Sequence, residues 1–271
     1  MLLCLLLCCK SPRAFTIAGI PVKVNILFWI FPVGVAAVAG WMFASWLGML
    51  EVLGVVLALP VGCGLCHELG HVLVARWRYG CQTHQMVICP LGIAADMEEI
   101  PREPAEIVVA LAGPAVSIVI GALGFAAGWL IGLVDDDGKT ETTIVLACQV
   151  VGIWNLIVAA FNLLPLFPMD GGRVARSALA MVIGLIWPEK AHRSHLLATR
   201  ILVRGITIPV ALAVIYLTVT YTYMIPHILT AIFVACLGEL EFRALRETLD
   251  ICASPAVIRL CPRPSSEFRT T

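Results

Sequence analysis

The sequence predicts an all-α polytopic membrane protein, with about six transmembrane helices and a small β-hairpin or re-entrant loop after the second. Two observations predict this class. Of the 271 residues, 60% are hydrophobic and 13% are charged, whereas soluble domains carry about 25% charged residues. Apolar runs long enough to cross a bilayer, which takes about 20 residues of helix, also recur along the chain. A soluble globular class is therefore excluded.

The charge balance and the cysteines exclude two further classes. The 18 basic and 18 acidic residues cancel, so the chain lacks the excess of positive charge that is typical of nucleic-acid-binding proteins. Most of the 11 cysteines stand in apolar segments, and the others fall in segments predicted to be cytosolic. Cysteine there acts as a small hydrophobic residue or stays reduced, so no disulfide framework is predicted.

The first two spans are predicted at about Ile26–Leu50 and Val52–Val74. Residues 1–9 before them are apolar, but too short to span, and the basic Lys10 and Arg13 follow rather than precede them. A secretory signal has its basic residues before the apolar segment, so this order does not fit one. We expect an interfacial segment or a misplaced start codon.

The middle of the chain alternates between polar and apolar stretches. Between Tyr79 and Arg102 the sequence turns polar and alternating, which predicts a short hairpin or a re-entrant loop. The third span is predicted at about Ile107–Val134 and the fourth in the apolar run Ile144–Phe167, which Pro165 and Pro168 break near its end.

The C-terminal part contains a shorter apolar segment and two more predicted spans. Val174–Trp187 is too short to span, so it predicts an interfacial or buried helix. The last spans are predicted at about Ile206–Tyr223 and Ile225–Leu237. We therefore expect a membrane-embedded domain over residues 1–240 and a short cytosolic tail over 241–271.

The basic residues predict the orientation in the membrane, because they accumulate on the cytosolic side of membrane proteins. If six spans alternate, the acidic loop at Asp135 falls on one side and every basic cluster on the other. Both termini are then cytosolic, and His71 lies near the cytosolic face. These clusters occur at 10–23, 76–78, 173–176, 190–204 and 243–246.

His67, Glu68 and His71 are three ionisable residues inside an apolar run of membrane length. Residues four apart lie on nearly the same face of a helix, so His67 and His71 can bind one metal ion. Glu68 points about 100° away from His67 and can act as a general base without being a ligand. The pattern His-Glu-x-x-His is typical of zinc metalloproteases. A polar clamp between helices is the alternative.

Asp170 is the leading candidate for a third ligand, since catalytic zinc usually has three protein ligands and one open position. It follows an apolar run that Pro165 and Pro168 release from helical structure. Gly171 and Gly172 then let the backbone turn the carboxylate inward. Alternatively, Asp170 caps the helix that follows. Both roles are compatible.

Three motifs occur in a fixed order along the chain. They are His67-Glu68-Leu69-Gly70-His71, Leu111-Ala112-Gly113-Pro114, and Phe161-Asn162-Leu163-Leu164-Pro165 followed by Pro168-Met169-Asp170-Gly171-Gly172. Together they resemble the site-2 protease family of intramembrane zinc metalloproteases. The resemblance runs from about Phe15 to Leu240 and is to the bacterial sporulation-factor type, without the C-terminal cystathionine-synthase-type (CBS) domains that many relatives carry.

This resemblance implies roles for particular residues. It assigns His67, His71 and Asp170 to one Zn²⁺ ion per chain and Glu68 to the activation of water. It also suggests that Asn162 hydrogen-bonds the substrate or the developing oxyanion, for which an amide donor is suited. Alternatively, Asn162 caps carbonyl groups of a broken helix.

The chain departs from the family pattern at two positions. Where many members have Pro-x-Gly-Gly after the first hairpin strand, Ile93 replaces the last glycine. Where an asparagine often follows Gly-Pro in the third span, this chain has Ser117. We expect these differences to affect loop geometry and substrate preference rather than the metal ligands.

The expected function is that of an intramembrane zinc metalloendopeptidase, which cleaves a membrane-protein substrate in or next to its transmembrane segment, within the lipid bilayer. A non-proteolytic membrane protein that binds a metal or a helix with the same ligands is the alternative, and for it Glu68 would be dispensable. The stretch from Cys63 to His67 also matches a c-type haem attachment pattern. Such haems attach outside the cytosol and the bilayer core, which disfavours this third interpretation.

Overall fold

The computed structural model describes residues 11–29, 58–89, 92–98, 103–134 and 141–217, with isolated positions at 33–34, 37–38, 54, 100, 220, 235–236, 238–240, 242–243 and 246. These residues divide into two compact units, with the boundary between Ala178 and Leu179.

A four-stranded sheet is built from two hairpins that lie far apart in the sequence. Its strands are β1 (Arg13–Ile17), β2 (Ile20–Val24), β3 (Thr83–Cys89) and β4 (Gly92–Met97), in that spatial order. Each hairpin is antiparallel, whereas β2 and β3 pair in parallel. The parallel pair therefore joins the two hairpins into one sheet.

The hairpin predicted after the second span is present as β3 and β4, so the polar stretch forms a hairpin rather than a re-entrant loop. The β1–β2 hairpin was not predicted. Its two-residue turn has positive φ at both Ala18 (51°) and Gly19 (83°), which is the backbone conformation of tight hairpin turns. The Arg76 guanidinium donates a hydrogen bond to the Ala18 carbonyl at 3.1 Å. The expectation of an all-α chain with one hairpin was thus incomplete.

Helix α1 (Gly64–Tyr79) continues from a π-helical segment, Ala58–Cys63, and ends at Gly80, whose φ of 71° stops the helix. One face of α1 packs on the sheet. Leu65 and Val72 from α1 share a buried apolar cluster with five residues of the sheet, namely Ile20, Val22, Met86, Ile88 and Ala95. This burial fixes which face of α1 is left for the two histidines.

Helices α2 (Glu103–Val134) and α3 (Glu141–Asn162) follow the sheet. They approach closely where α2 has glycine, because a Cβ on Gly124 would lie 2.9 Å from the carbonyl oxygen of Cys148. Helix α3 ends at Asn162, before Pro165, as expected from a residue that cannot continue a helix.

Helix α4 (Asp170–Ile186) contains the apolar segment that was predicted to be too short to span. After a 3₁₀ turn, α5 (Ser194–Leu202) continues through a π-helical segment, Val203–Thr207, into α6 (Ile208–Leu217). The fifth predicted span, Ile206–Tyr223, overlaps this helical stretch, which already begins at Ser194.

Within the described ranges, three helical segments are long and apolar enough to cross a membrane: Pro104–Leu133, Ile144–Asn162 and Ser194–Leu217. The first two coincide with predicted spans. Of the predicted second span, Val52–Val74, the structure describes Gly54 and residues 58–74. Its helix continues beyond Val74 to Tyr79.

Several other expectations fall mainly or wholly outside the described residues. They are the apolar stretch 1–9, the first and last predicted spans, the acidic loop at Asp135 and the tail 241–271. A total of about six spans therefore stays a prediction.

Candidate metal centre

His67 and His71 lie one turn apart on α1, and both residues are buried, with 4% and 2% of their surface exposed. Their ring centroids are 5.0 Å apart. Glu68 is the next residue after His67 and is half-buried. The spacing of four residues thus brings the two imidazoles together on the face of α1 that does not pack on the sheet.

Asp170 reaches the two histidines because the chain reverses sharply between α3 and α4. Asp170 is the first residue of α4 and is buried. The reversal requires glycine, because a Cβ on Gly171 would collide with the backbone carbonyl groups of Leu163 and Leu164. The turn between the helices therefore returns the carboxylate to the end of α3, beside α1.

Three ligand atoms from these residues form a nearly equilateral triangle. The Asp170 Oδ2 atom lies 3.1 Å from His67 Nε2 and 3.2 Å from His71 Nε2, and the two Nε2 atoms are 3.3 Å apart. A tetrahedral ion with ligands at about 2.0 Å separates its ligand atoms by about 3.3 Å. The triangle therefore fits one face of such a site, and this group is one that could hold a metal ion.

Each of the two imidazoles has a hydrogen-bonding partner at Nδ1, while its Nε2 atom faces the other ligand atoms. His71 Nδ1 donates to the backbone carbonyl of Val109 at 2.7 Å, so in the neutral ring Nε2 carries a lone pair. His67 Nδ1 lies 2.9 Å from the Ser117 hydroxyl. A lone pair on His71 Nε2 and a carboxylate oxygen face each other at 3.2 Å, an arrangement that requires a proton or a cation between them.

Gly113 on α2 provides the space in front of the imidazoles. A Cβ at this position would collide with His71 Nε2 and would lie 2.7 Å from His67 Nε2. Any side chain would therefore occupy the region toward which the ligand atoms point. The absence of a side chain explains physically why glycine precedes Pro114 here.

The structure brings together His67, His71 and Asp170, with Glu68 adjoining them on α1. It places Asn162 at the last residue of α3, where its side-chain amide donates to the Val158 carbonyl at 3.0 Å. That bond corresponds to the alternative in which Asn162 serves a helix-end carbonyl rather than a substrate.

Sequence reasoning missed two groups that contact the histidines. Val109 contributes only a backbone carbonyl, which no side-chain pattern reveals. Ser117 was noted solely as a departure from the family pattern. The detectable signal was its position on α2, four residues after Gly113 and hence on the same helical face.

Residues 130–206 match the profile of Peptidase family M50. This segment includes Asp170 but not the two histidines. A zinc metalloprotease of Methanocaldococcus jannaschii is 33% identical over 183 residues, which cover 66% of this chain and 49% of that protein. The stage IV sporulation protein FB of Bacillus subtilis is 30% identical over 137 residues, covering 49% of this chain and 42% of that protein.

The site-2 protease structure from Methanocaldococcus jannaschii matches this fold with a TM-score of 0.58 and 28% sequence identity. The match covers 86% of this chain and 95% of that one. In contrast, the chain spans about half the length, or less, of the curated relatives named above.

Proposed function

We propose that this chain, which matches peptidase family M50 over residues 130–206 and a site-2 protease in fold, is an intramembrane zinc metalloprotease. In this proposal it hydrolyses a peptide bond in or next to a transmembrane segment of a membrane-protein substrate. The observation that supports the proposal most strongly is the convergence of His67 Nε2, His71 Nε2 and Asp170 Oδ2 within 3.3 Å of one another.

His67, His71 and Asp170 would hold one zinc ion. Two imidazole nitrogens and a carboxylate oxygen form a usual ligand set of catalytic zinc, and it leaves a fourth position open. When bound, zinc supplies Lewis-acid polarisation of a carbonyl group and makes water acidic enough to ionise near neutral pH. The space in front of Gly113 supports this assignment, because a side chain there would obstruct the open position.

Glu68 is the proposed general base. It follows His67 directly on α1, so its carboxylate lies beside the ligands without pointing along the same helical face. In the first step it accepts a proton from the attacking water, and in the second it donates that proton to the leaving amine. Asn162 is proposed to donate a hydrogen bond to the developing oxyanion through the second hydrogen of its amide, since the first is donated to the Val158 carbonyl.

The substrate must be locally unwound before it can be cleaved, because the carbonyl groups of a helix are occupied by backbone hydrogen bonds. The β3–β4 hairpin offers a way to hold such an extended segment. Strand β4 is an outer strand of the described sheet, and an exposed strand edge binds extended peptides through backbone hydrogen bonds.

The proposed topology has about six spans, with both termini in the cytosol and the metal centre near the cytosolic face. Residues 1–240 would form the membrane-embedded protease domain and residues 241–271 a cytosolic tail. The distribution of basic clusters supports this orientation.

The decisive experiment compares the wild-type protein with Glu68→Gln in detergent, by zinc content and by cleavage of a model membrane substrate. Loss of the general base should lower the cleavage rate by about 10²- to 10⁴-fold, while zinc stays bound because the three ligands are intact. Glu189→Gln, at an exposed position after α4, is the matched control, and it should cleave normally. Unchanged cleavage by Glu68→Gln would remove Glu68 from the mechanism, and wild-type protein without zinc would refute the proposal.

A further inference from the structure

A buried cluster of charged side chains lies next to the metal ligands, between α2 and α4. Glu106 and Arg176 are its most enclosed members, with 8% and 9% of their surface exposed. The Arg176 guanidinium donates to Glu106 Oε1, and the Ser177 hydroxyl donates to Glu106 Oε2 at 2.6 Å. The Glu106 carboxylate on α2 therefore accepts hydrogen bonds from two consecutive residues of α4.

Arg173 connects this cluster to the third candidate ligand. Its Nε atom lies 3.6 Å from Glu106 Oε1, and its Nη1 atom lies 4.0 Å from Asp170 Oδ1. The other oxygen of Asp170, Oδ2, is the one that faces both histidines. Arg173 thus stands between two carboxylates, one from each helix.

Glu106 also belongs to the face of α2 that supports the histidines. Glu106, Val109, Gly113 and Ser117 are spaced by three, four and four residues, so they lie along one side of the helix. Val109 and Ser117 contact the imidazoles, and Gly113 leaves the space before them. Glu106 continues this row toward α4.

We propose that Glu106 is a positioning residue for Asp170, an inference that rests on the proposed zinc site. Glu106 holds the first turns of α4 against α2. It also keeps Arg173 from drawing the Asp170 carboxylate away from the metal. A guanidinium group makes strong charge-assisted bonds to carboxylates. Without the negative charge of Glu106, Arg173 loses its partner on α2 and is drawn onto Asp170. Arginine and the metal ion then compete for the same carboxylate.

The test is metal affinity of the full-length protein in detergent, measured for zinc by competition with a chelator. Glu106→Gln keeps the size of the side chain but removes its charge, and should weaken zinc binding by about 10- to 100-fold, the usual effect of losing an outer-shell partner. With Co²⁺ in place of zinc, its visible absorption should change in this variant, because Asp170 no longer holds the metal as before. Circular dichroism is measured alongside, so that a changed spectrum is attributed to the metal site only in a variant with wild-type helicity.

Glu239→Gln is the matched control, since Glu239 is ion-paired with Arg204 at 3.0 Å and with Arg243 at 3.5 Å in the second unit. It should bind zinc like the wild type. Wild-type affinity and an unchanged Co²⁺ spectrum in Glu106→Gln would overturn the proposal. If Glu106→Gln does not fold, Glu106→Asp replaces it, with a smaller loss of affinity expected and an unchanged affinity again overturning the proposal.

A double variant, Glu106→Gln with Arg173→Gln, isolates the competition itself. Because the competing guanidinium is gone, zinc affinity should recover at least partly relative to Glu106→Gln alone, and no recovery would contradict the competition. None of these measurements uses cleavage. A protein that binds zinc in this manner but cleaves nothing would refute the proposed protease while leaving the role of Glu106 intact.

Discussion

The two halves of the candidate metal centre are specified in different ways. His67 and His71 stand on one continuous helix, so their relative position follows from helix geometry alone. Asp170 follows 99 residues after His71 in sequence, and it reaches the histidines only through the sharp reversal between α3 and α4. The relative position of the two histidines therefore depends on a single helix, whereas the position of Asp170 depends on packing between distant parts of the chain.

The largest expected effect comes from two single variants, each of which removes one ligand from one half of the metal centre. His71→Ala and Asp170→Ala should both reduce zinc content to background, because two ligands no longer hold the ion tightly. Metal analysis of purified protein measures this, with His84→Ala, an exposed histidine of β3, as a control that should keep its zinc. Retention of zinc by Asp170→Ala would mean that α4 contributes no ligand, and the contrast between the halves would no longer hold.

An intermediate effect is expected from a change that alters no ligand. A Cβ in Gly171→Ala collides with the Leu163 and Leu164 carbonyl groups, and overpacking of this kind costs about 1–3 kcal/mol. The reversal should shift and carry Asp170 away, so zinc affinity falls although all three ligands are present. Gly132→Ala on α2 has no atom within 4 Å of the added Cβ and should bind zinc normally. Equal affinities in the two variants would show that the reversal tolerates displacement.

The smallest effect distinguishes the two histidines within the local half. Ser117→Ala removes the hydroxyl 2.9 Å from His67 Nδ1 and should weaken zinc binding by about tenfold, at the lower end for outer-shell partners. Val109→Ala is the counterpart for His71, whose partner is a backbone carbonyl that the substitution retains. It should lower thermal stability without changing zinc affinity. A loss of affinity in Val109→Ala equal to that in Ser117→Ala would contradict this distinction.

The sheet repeats the contrast between local and distant structure. The β3–β4 hairpin was predictable, because its polar alternating strands are adjacent in sequence. The β1–β2 hairpin also carries a local signal in its Ala18-Gly19 turn, but its place in the sheet is set by the parallel pairing of Val22 with Met86. Parallel neighbours need a crossover connection, here through the chain that contains α1, and a sequence pattern does not specify such partners.

The sequence by itself determined the membrane class, the imidazole pair on α1 and the candidacy of Asp170, since composition, helical periodicity and chain breaks are local properties. Only the tertiary structure decided which atoms meet: the carbonyl of Val109 behind His71, the hydroxyl of Ser117 behind His67, and the salt bridges of Glu106 with Arg173 and Arg176 beside Asp170. The physical reason is that these contacts join residues 38 to 70 positions apart in sequence. Their partners are selected by close packing between helices, which no short stretch of sequence encodes.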